Sequence, residues 1–202
     1  MKIIAVLILL FLLSGFARAL EVPLDAKESF LKFTGHAFMH DFNGEAKEFH
    51  GSAQIDVKKP EIVLGAEIDI QAAKMTTFES TRDRNMFDWL HVDMNPEISF
   101  QLKKAKLMKD DFTNATTDHP AQFAVNGNFN LNKITKPLET QVFAWREGKW
   151  LVATGMTRIN TADHGLPEIR QLFMTVEKQV DIGFRLIFDL PPELQVTVPH
   201  QG

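Results

Sequence analysis

Apolar residues recur at every second position along most of this chain, the spacing of strands with one face in a core and the other in solvent. The clearest case is Phe123, Val125, Gly127, Phe129 and Leu131, which alternate with Ala124, Asn126, Asn128, Asn130 and Asn132. Ile62, Leu64, Ala66, Ile68 and Ile70 against Glu67, Asp69 and Gln71 predict a half-buried antiparallel strand. Val180, Ile182, Phe184, Leu186 and Phe188 against Asp181, Arg185 and Asp189 predict a long one. Further strands are expected at 52–57, where Lys58-Lys59-Pro60 ends the run, at 98–102 after Asn95-Pro96, and at 150–159. Another is expected at 138–145, entered by a turn at Ile134-Thr135-Lys136-Pro137. Residues 30–42 are apolar on both faces, with His36, Phe38, His40 and Phe42 on one side and Leu31, Phe33 and Met39 on the other. That pattern predicts a strand buried on both sides or bent at Gly35, with Asn43-Gly44 as the turn that follows. Residues 109–120 read as a polar loop at a hairpin tip, and the chain after Pro191-Pro192 as a loosely held end.

One stretch, Ser80 to His91, leaves this pattern and takes the helical one. Ser80 or Thr81 can cap the first turn, Asp83 suits the positive end of the helix dipole, and Met86, Trp89 and Leu90 fall at i, i+3, i+4. Arg82, Asp83, Arg84 and Asp88 are then left for the other face. About eight antiparallel strands joined mostly by short turns, with no repeat and no linker, predict a single all-β domain, either a barrel or a sandwich. The mid-chain helix favours an eight-stranded barrel, whose open end it can cover.

The amino terminus stands apart from the fold. Lys2, an apolar run at 3–13 and Ser14-Gly15-Phe16-Ala17-Arg18-Ala19 form the pattern of a cleaved signal peptide, so residues 1–19 are expected to be removed and 20–202 to form the domain. The run is well short of the ~20 residues that span a bilayer, so no membrane-spanning segment is expected. Cleavage removes Lys2 and Arg18 and no acid, so the formal charge of -4 becomes more negative by two units. An acidic protein lacks the concentrated basic surface that nucleic acid requires. With no cysteine there is neither disulfide nor thiolate chemistry, and export without disulfides points to a bacterial periplasm.

Catalytic and metal chemistry find little support in the residues. His36 and His40 have a zinc-like spacing only on a helix; on a strand they stand about 13 Å apart at ~3.3 Å per residue. Asp163-His164 invites a hydrolase reading on lipid esters or amides, but no Gly-x-Ser-x-Gly elbow accompanies it. No metal, cofactor or catalytic residue is therefore expected.

Several segments carry a family likeness. Arg82-Asp83, Met86, Leu90, Val92, Pro96 and Ile98-Ser99-Phe100, then Gly127-Asn128-Phe129-Asn130-Leu131-Asn132-Lys133-Ile134-Thr135-Lys136-Pro137 and Asp163-His164-Gly165, resemble the YceI-like polyisoprenoid-binding proteins. The resemblance runs from about Glu28 to Leu190; Phe33-Thr34-Gly35-His36 only partly echoes the family's Lys-His-x-Gly, and the loop at 109–120 is individual to this chain. It implies a lipocalin-like eight-stranded antiparallel barrel holding an isoprenoid or similar long-chain lipid in an apolar interior. Phe38, Phe42, Phe78, Met86, Phe87, Trp89, Phe100 and Phe129 are the expected lining, with Gly127 and Ala66 leaving room. Arg82 is the expected contact for a polar head at the mouth, because a guanidinium suits phosphate or carboxylate. His91, Arg158 and Asn160 are further candidates near element ends. The implied function is that of a periplasmic carrier; a stress-response or interaction module without lipid cargo is the alternative. Two barrels can also pair through an exposed strand edge, though the sequence locates none.

Overall fold

The computed structural model describes residues 19–37, 40–56, 63–109, 111–171 and 174–195. Phe38, Lys58-Lys59-Pro60 and Ile62, the leader up to Arg18 and the tail beyond Gln195 lie outside the described residues. The strands are β1 (Ala19–Pro23), β2 (Phe30–Ala37), β3 (Phe42–Ala46), β4 (Phe49–Asp56), β5 (Val63–Gln71), β6 (Met75–Thr76), β7 (Glu97–Lys109), β8 (Ala121–Leu131), β9 (Ile134–Glu147), β10 (Trp150–Asn160), β11 (Arg170–Gln171) and β12 (Met174–Asp189). A single α-helix among the described residues, α1 (Ser80–Leu90), follows β6.

All pairings are antiparallel, in the order β1-β4-β5-β7-β8-β9-β10-β12-β2-β3-β6, with β11 on β12 alone. The two ends of this order meet through the chain itself. β3 runs through Lys47 and Glu48 into β4, β5 runs through a 3-10 turn at Ala72–Lys74 into β6, and Lys47 N–H to Lys74 O and Gln71 N–H to Glu48 O join the two connections. Taken as bent strands, β3/β4 and β5/β6 leave eight positions around an antiparallel barrel, and α1 lies across one end. Alternation holds best in β8, where Ala121, Phe123, Val125, Phe129 and Leu131 are buried and Asn126 and Asn130 bond outward to Glu139 and Thr135 of β9.

Several local expectations are corrected. Residues 30–42 are not one strand: β2 ends at Ala37 and β3 starts at Phe42, so Asn43-Gly44 lies within a strand. Gly44 is needed there because a Cβ would collide with the Phe33 ring of β2. The β8–β9 turn is Asn132-Lys133, both at positive φ (53° and 60°), which is the two-residue hairpin geometry. Ile134 to Pro137 therefore already belong to β9, which over that stretch pairs only with β8, so the missing N–H of Pro137 can face away from a ladder. The segment after β7 is not simply polar, because Phe112 and Ala115 are buried and the Phe112 ring meets Phe123 edge-on. β1, unforeseen from the alternation, pairs with β4 and places Val22 in the core beside the closed end. At the other end of the chain, Leu194 is buried in the same core. Gly127 leaves no free room, since the Phe100 ring already lies where its Cβ would stand.

Candidate functional site

The helix that covers the barrel is fixed by its first turn. Glu79, rather than Ser80 or Thr81, is the N-cap: its carboxylate accepts from the N–H groups of Thr81 (2.9 Å) and Arg82 (2.6 Å), which hold it below the usual carboxylate range. Asp83 accepts from Thr76 Oγ1 (2.7 Å), Thr77 N–H (2.6 Å) and Thr77 Oγ1 (2.5 Å). Burial pushes the Asp83 carboxyl up, but these bonds and the nearby Arg82 outweigh it and keep the group ionised. Arg82 does not point to the outer face. Its Nη2 donates to Thr77 O (2.7 Å), its guanidinium lies 5.3 Å from the Phe42 ring, and its Nε is buried without a hydrogen-bond partner. At the far end Trp89 Nε1 donates to Pro167 O (2.8 Å), tying α1 to the segment between β10 and β11.

Beneath α1 the barrel contains a cavity of about 830 Å³. Its wall comes from the inward face of the ring strands: Phe33 of β2, Ala66 and Ile68 of β5, Phe100 of β7, Phe129 of β8, Val142 of β9, and Val180, Ile182, Phe184, Leu186 and Phe188 of β12. Two buried clusters bound it, one under the helix around Leu90, Ile98 and Leu131, the other at the closed end around Val22, Ile55, Phe112 and Leu151. Polar lining residues belong mainly to the helix end: Thr81, Arg82, Asn85 and Asp88 of α1, with His40, Glu168, Glu177 and Lys178. A concave, mostly apolar space with a few polar groups at one end is the general form of a small-molecule site.

Of the residues singled out from sequence, Phe42, Arg82, Met86, Trp89, Phe100 and Phe129 border this cavity. Phe78 does not. It is 67% exposed, at a positive φ of 63° where the chain turns into the helix. Phe87 packs against the cluster under the helix instead of lining the cavity. His91 is the left-handed C-cap of α1 and exposed, its backbone N–H closing the last turn on Asp88 O. Arg158 points outward and grips Asp181 of β12 through Nε (2.5 Å) and Nη2 (2.9 Å). Asn160 caps the 3-10 turn Thr161–His164. Within that turn Asp163 accepts from Asn160, while buried His164 meets Ile134 O through Nδ1 (2.8 Å), so the two do not form an acid-oriented histidine.

Sequence reasoning missed Thr140 and Thr157, polar residues on the inward face of β9 and β10 that line the cavity. Their signal was a hydroxyl where the alternation called for an apolar side chain. On the outer wall, His36 stands between Asp41 (Nδ1, 3.0 Å) and Asp181 (Nε2, 3.0 Å), and both carboxylates raise its pKa. Arg158, against the effect of burial and helped by His36, lowers Asp181 to about 2.

The YceI-like domain model matches residues 23–188 of this chain. The chain belongs to the YceI-like family. A UPF0312 protein of Azotobacter vinelandii is 25% identical over 144 residues, covering 67% of this chain and 68% of that protein. Among solved structures, Burkholderia cenocepacia BcnA aligns with a TM-score of 0.67 at 15% identity over 81% of this chain and 98% of its own. A polyisoprenoid binding domain from Saccharophagus degradans, implicated in plant cell wall breakdown, aligns at 0.65 and 16% identity over 84% and 98%. The Campylobacter jejuni YceI protein aligns at 0.60 and 13% identity over 77% and 89%. At these identities the structural likeness is one of fold: the YceI-like barrel is common to all of them.

Proposed function

We propose that this YceI-like protein is a non-enzymatic carrier for an isoprenoid or similar long-chain amphiphilic lipid, acting in the periplasm after removal of residues 1–19. The observation that carries this reading is the apolar cavity of about 830 Å³ under α1. Burying a hydrocarbon tail there contributes ~0.8 kcal/mol per methylene, with no hydroxyl of tyrosine to satisfy, because the chain has 17 phenylalanines and no tyrosine. The polar lining at the helix end receives the head group, and Arg82 is part of that lining. The cavity supports this reading over that of an interaction module whose interior is filled by side chains. The shared fold with the Saccharophagus degradans polyisoprenoid binding domain supports an isoprenoid as the ligand class. Mass spectrometry of organic extracts of the purified protein is expected to detect a co-purifying amphiphile. Absence of any such molecule, together with no binding of added polyprenyl lipid, would overturn the proposal.

A further inference from the structure

The outer wall of the barrel carries a surface that takes no part in the cavity. On β9 and β10, Phe143 (37% exposed) and Met156 (73%) point away from the interior, while their neighbours Val142, Ala144 and Thr157 line it. Cross-strand register extends each of the two into a row. One row runs from Lys106 of β7 through Ala124, Gln141, Met156 and Gly183 to Lys32 of β2. The next runs from Lys109 through Gln122, Phe143, Thr154 and Arg185 to Phe30. Lys32, Lys106, Lys109 and Arg185 are the only charged residues in these two rows, so both are purely basic in a chain whose formal charge is -4. Exposed Leu107 and Met108 stand between the two lysines of β7. No ion pair ties Lys106, Lys109 or Arg185 to a carboxylate among the described residues.

This surface has definite edges. Toward the closed end the next row, Trp145, Val152 and Ile187, is buried. Toward α1 the next row carries acids, but Asp181 is held by Arg158 and His36, and Glu139 accepts from Asn126. Between those edges the uncharged polar side chains are already bonded: Gln122 Nε2 donates to Gln141 Oε1 (3.0 Å) and Thr154 Oγ1 donates to Phe184 O (2.8 Å). A protein partner draws on directional bonds of that kind, and few are left to give. A bilayer does not need them. Single apolar side chains enter the interface, while lysine and arginine lay their stems on apolar surface and hold their charge among phosphates. The β9–β10 ladder ends at Gln141 and Met156, and Thr140 and Thr157 just beyond it line the cavity, so this face adjoins the cavity wall.

We propose that the outward face of β9 and β10, flanked by Lys106, Lys109 and Arg185, docks the protein on an anionic lipid bilayer. This rests on the carrier reading, since a carrier of a membrane lipid has to meet a bilayer, but the docking is measured without cargo. Exported protein, purified without residues 1–19, is sedimented with phosphatidylcholine vesicles and with vesicles of phosphatidylcholine and phosphatidylglycerol in equal parts. It is expected to bind the anionic vesicles at least about tenfold more tightly. The excess should narrow as salt rises from ~0.01 to ~0.15 M, where the screening length falls from about 30 to about 8 Å. The double variant Lys106→Ser, Lys109→Ser is expected to weaken binding about tenfold, and Met156→Ser about threefold, with melting temperature unchanged. The double variant Lys27→Ser, Lys136→Ser makes the same change in net charge at exposed positions outside the two rows, and is expected to alter binding by less than about twofold. Equal binding to both kinds of vesicle, or an equal loss in the two double variants, would overturn the proposal. Retention on immobilised polyglutamate without vesicle binding would also overturn it, by assigning the face to an acidic protein. Organic extracts of the same preparations report the cargo separately. An amphiphile carried by a protein that docks on no vesicle would remove the surface and leave the carrier reading standing, whereas docking with no amphiphile would keep the surface and remove the carrier reading.

Discussion

The place of a Cβ at Gly127 is taken by the Phe100 ring and lies 2.7 Å from Gln101 O, so the smallest residue in β8 is what lets the largest in β7 enter the wall. Gly127→Ala is expected to cost about 1–3 kcal/mol, measured by denaturant unfolding, because backbone as well as ring must move. Asp69, on the outer face of β5, shows the opposite kind of misfit. Burial, the neighbouring Glu97 carboxyl and the charge of Glu67 push its pKa up to about 6 from 3.8. Above pH 6 the folded protein carries an ionised carboxyl that the unfolded chain accommodates better, so this residue costs stability there. Asp69→Asn is expected to stabilise by about 1–3 kcal/mol at pH 7 and to have no effect below pH 3.8, where the group is protonated in both states. Neither effect is visible in sequence: Gly127 and Asp69 read as an interior gap and an ordinary surface acid, and only the cross-strand neighbours reverse both readings.

At the scale of the element, α1 was legible from Met86, Trp89 and Leu90, but what secures it was not. The cap comes one residue earlier than the serine and threonine suggest, and Trp89 reaches a carbonyl 78 positions away. Trp89→Phe is expected to cost about 1 kcal/mol through loss of the bond to Pro167 O. Stopped-flow release of bound lipid should be faster in that variant, because the helix edge over the cavity is freed. Arg82 reads in sequence as a ligand contact, and in the structure it lines the cavity while also bracing Thr77 O and Phe42. Arg82→Met is expected to lower stability by about 1–3 kcal/mol. Lipid affinity left intact beside that loss would mark Arg82 as an anchor of the helix, and loss of affinity as a ligand contact, a split that thermal melts and titrations on the same preparation will measure.

At the scale of the whole molecule, the outer wall at the helix end carries a chain of charges from Asp41 through His36 and Asp181 to Arg158, crossing β2, β12 and β10. With a carboxylate on each ring nitrogen, His36 satisfies both bonds as the imidazolium. Its folded pKa lies above 6.5, so its contribution is complete below that value and is lost as pH rises through the raised one. Asp181, lowered to about 2, contributes above 3.8 and loses that contribution as pH falls toward 2. His36→Asn is therefore expected to lower the melting temperature most between pH 3.8 and 6.5, and progressively less as pH rises beyond the raised value. A pH-independent difference would mean that the histidine acts by packing alone.

The sequence by itself determined the all-β class, the positions of most strands, the place of the helix and the family, because these depend on spacing along the chain and on contiguous motifs. It also placed Phe100, Phe129, Met86 and Trp89 on inward faces, since alternation and helical period assign faces without knowing the neighbour. Tertiary structure alone decided that β3/β4 and β5/β6 are bent strands that bring the two ends of the sheet together. It likewise decided that Phe78 and His91 serve the helix ends and that Arg158 pairs outward. The same holds for Thr140 and Thr157, whose hydroxyls face an apolar space. The reason is physical: a periodic pattern says which side of an element is buried, but whether that side meets a ring, a carboxylate or empty volume depends on residues brought together from distant parts of the chain.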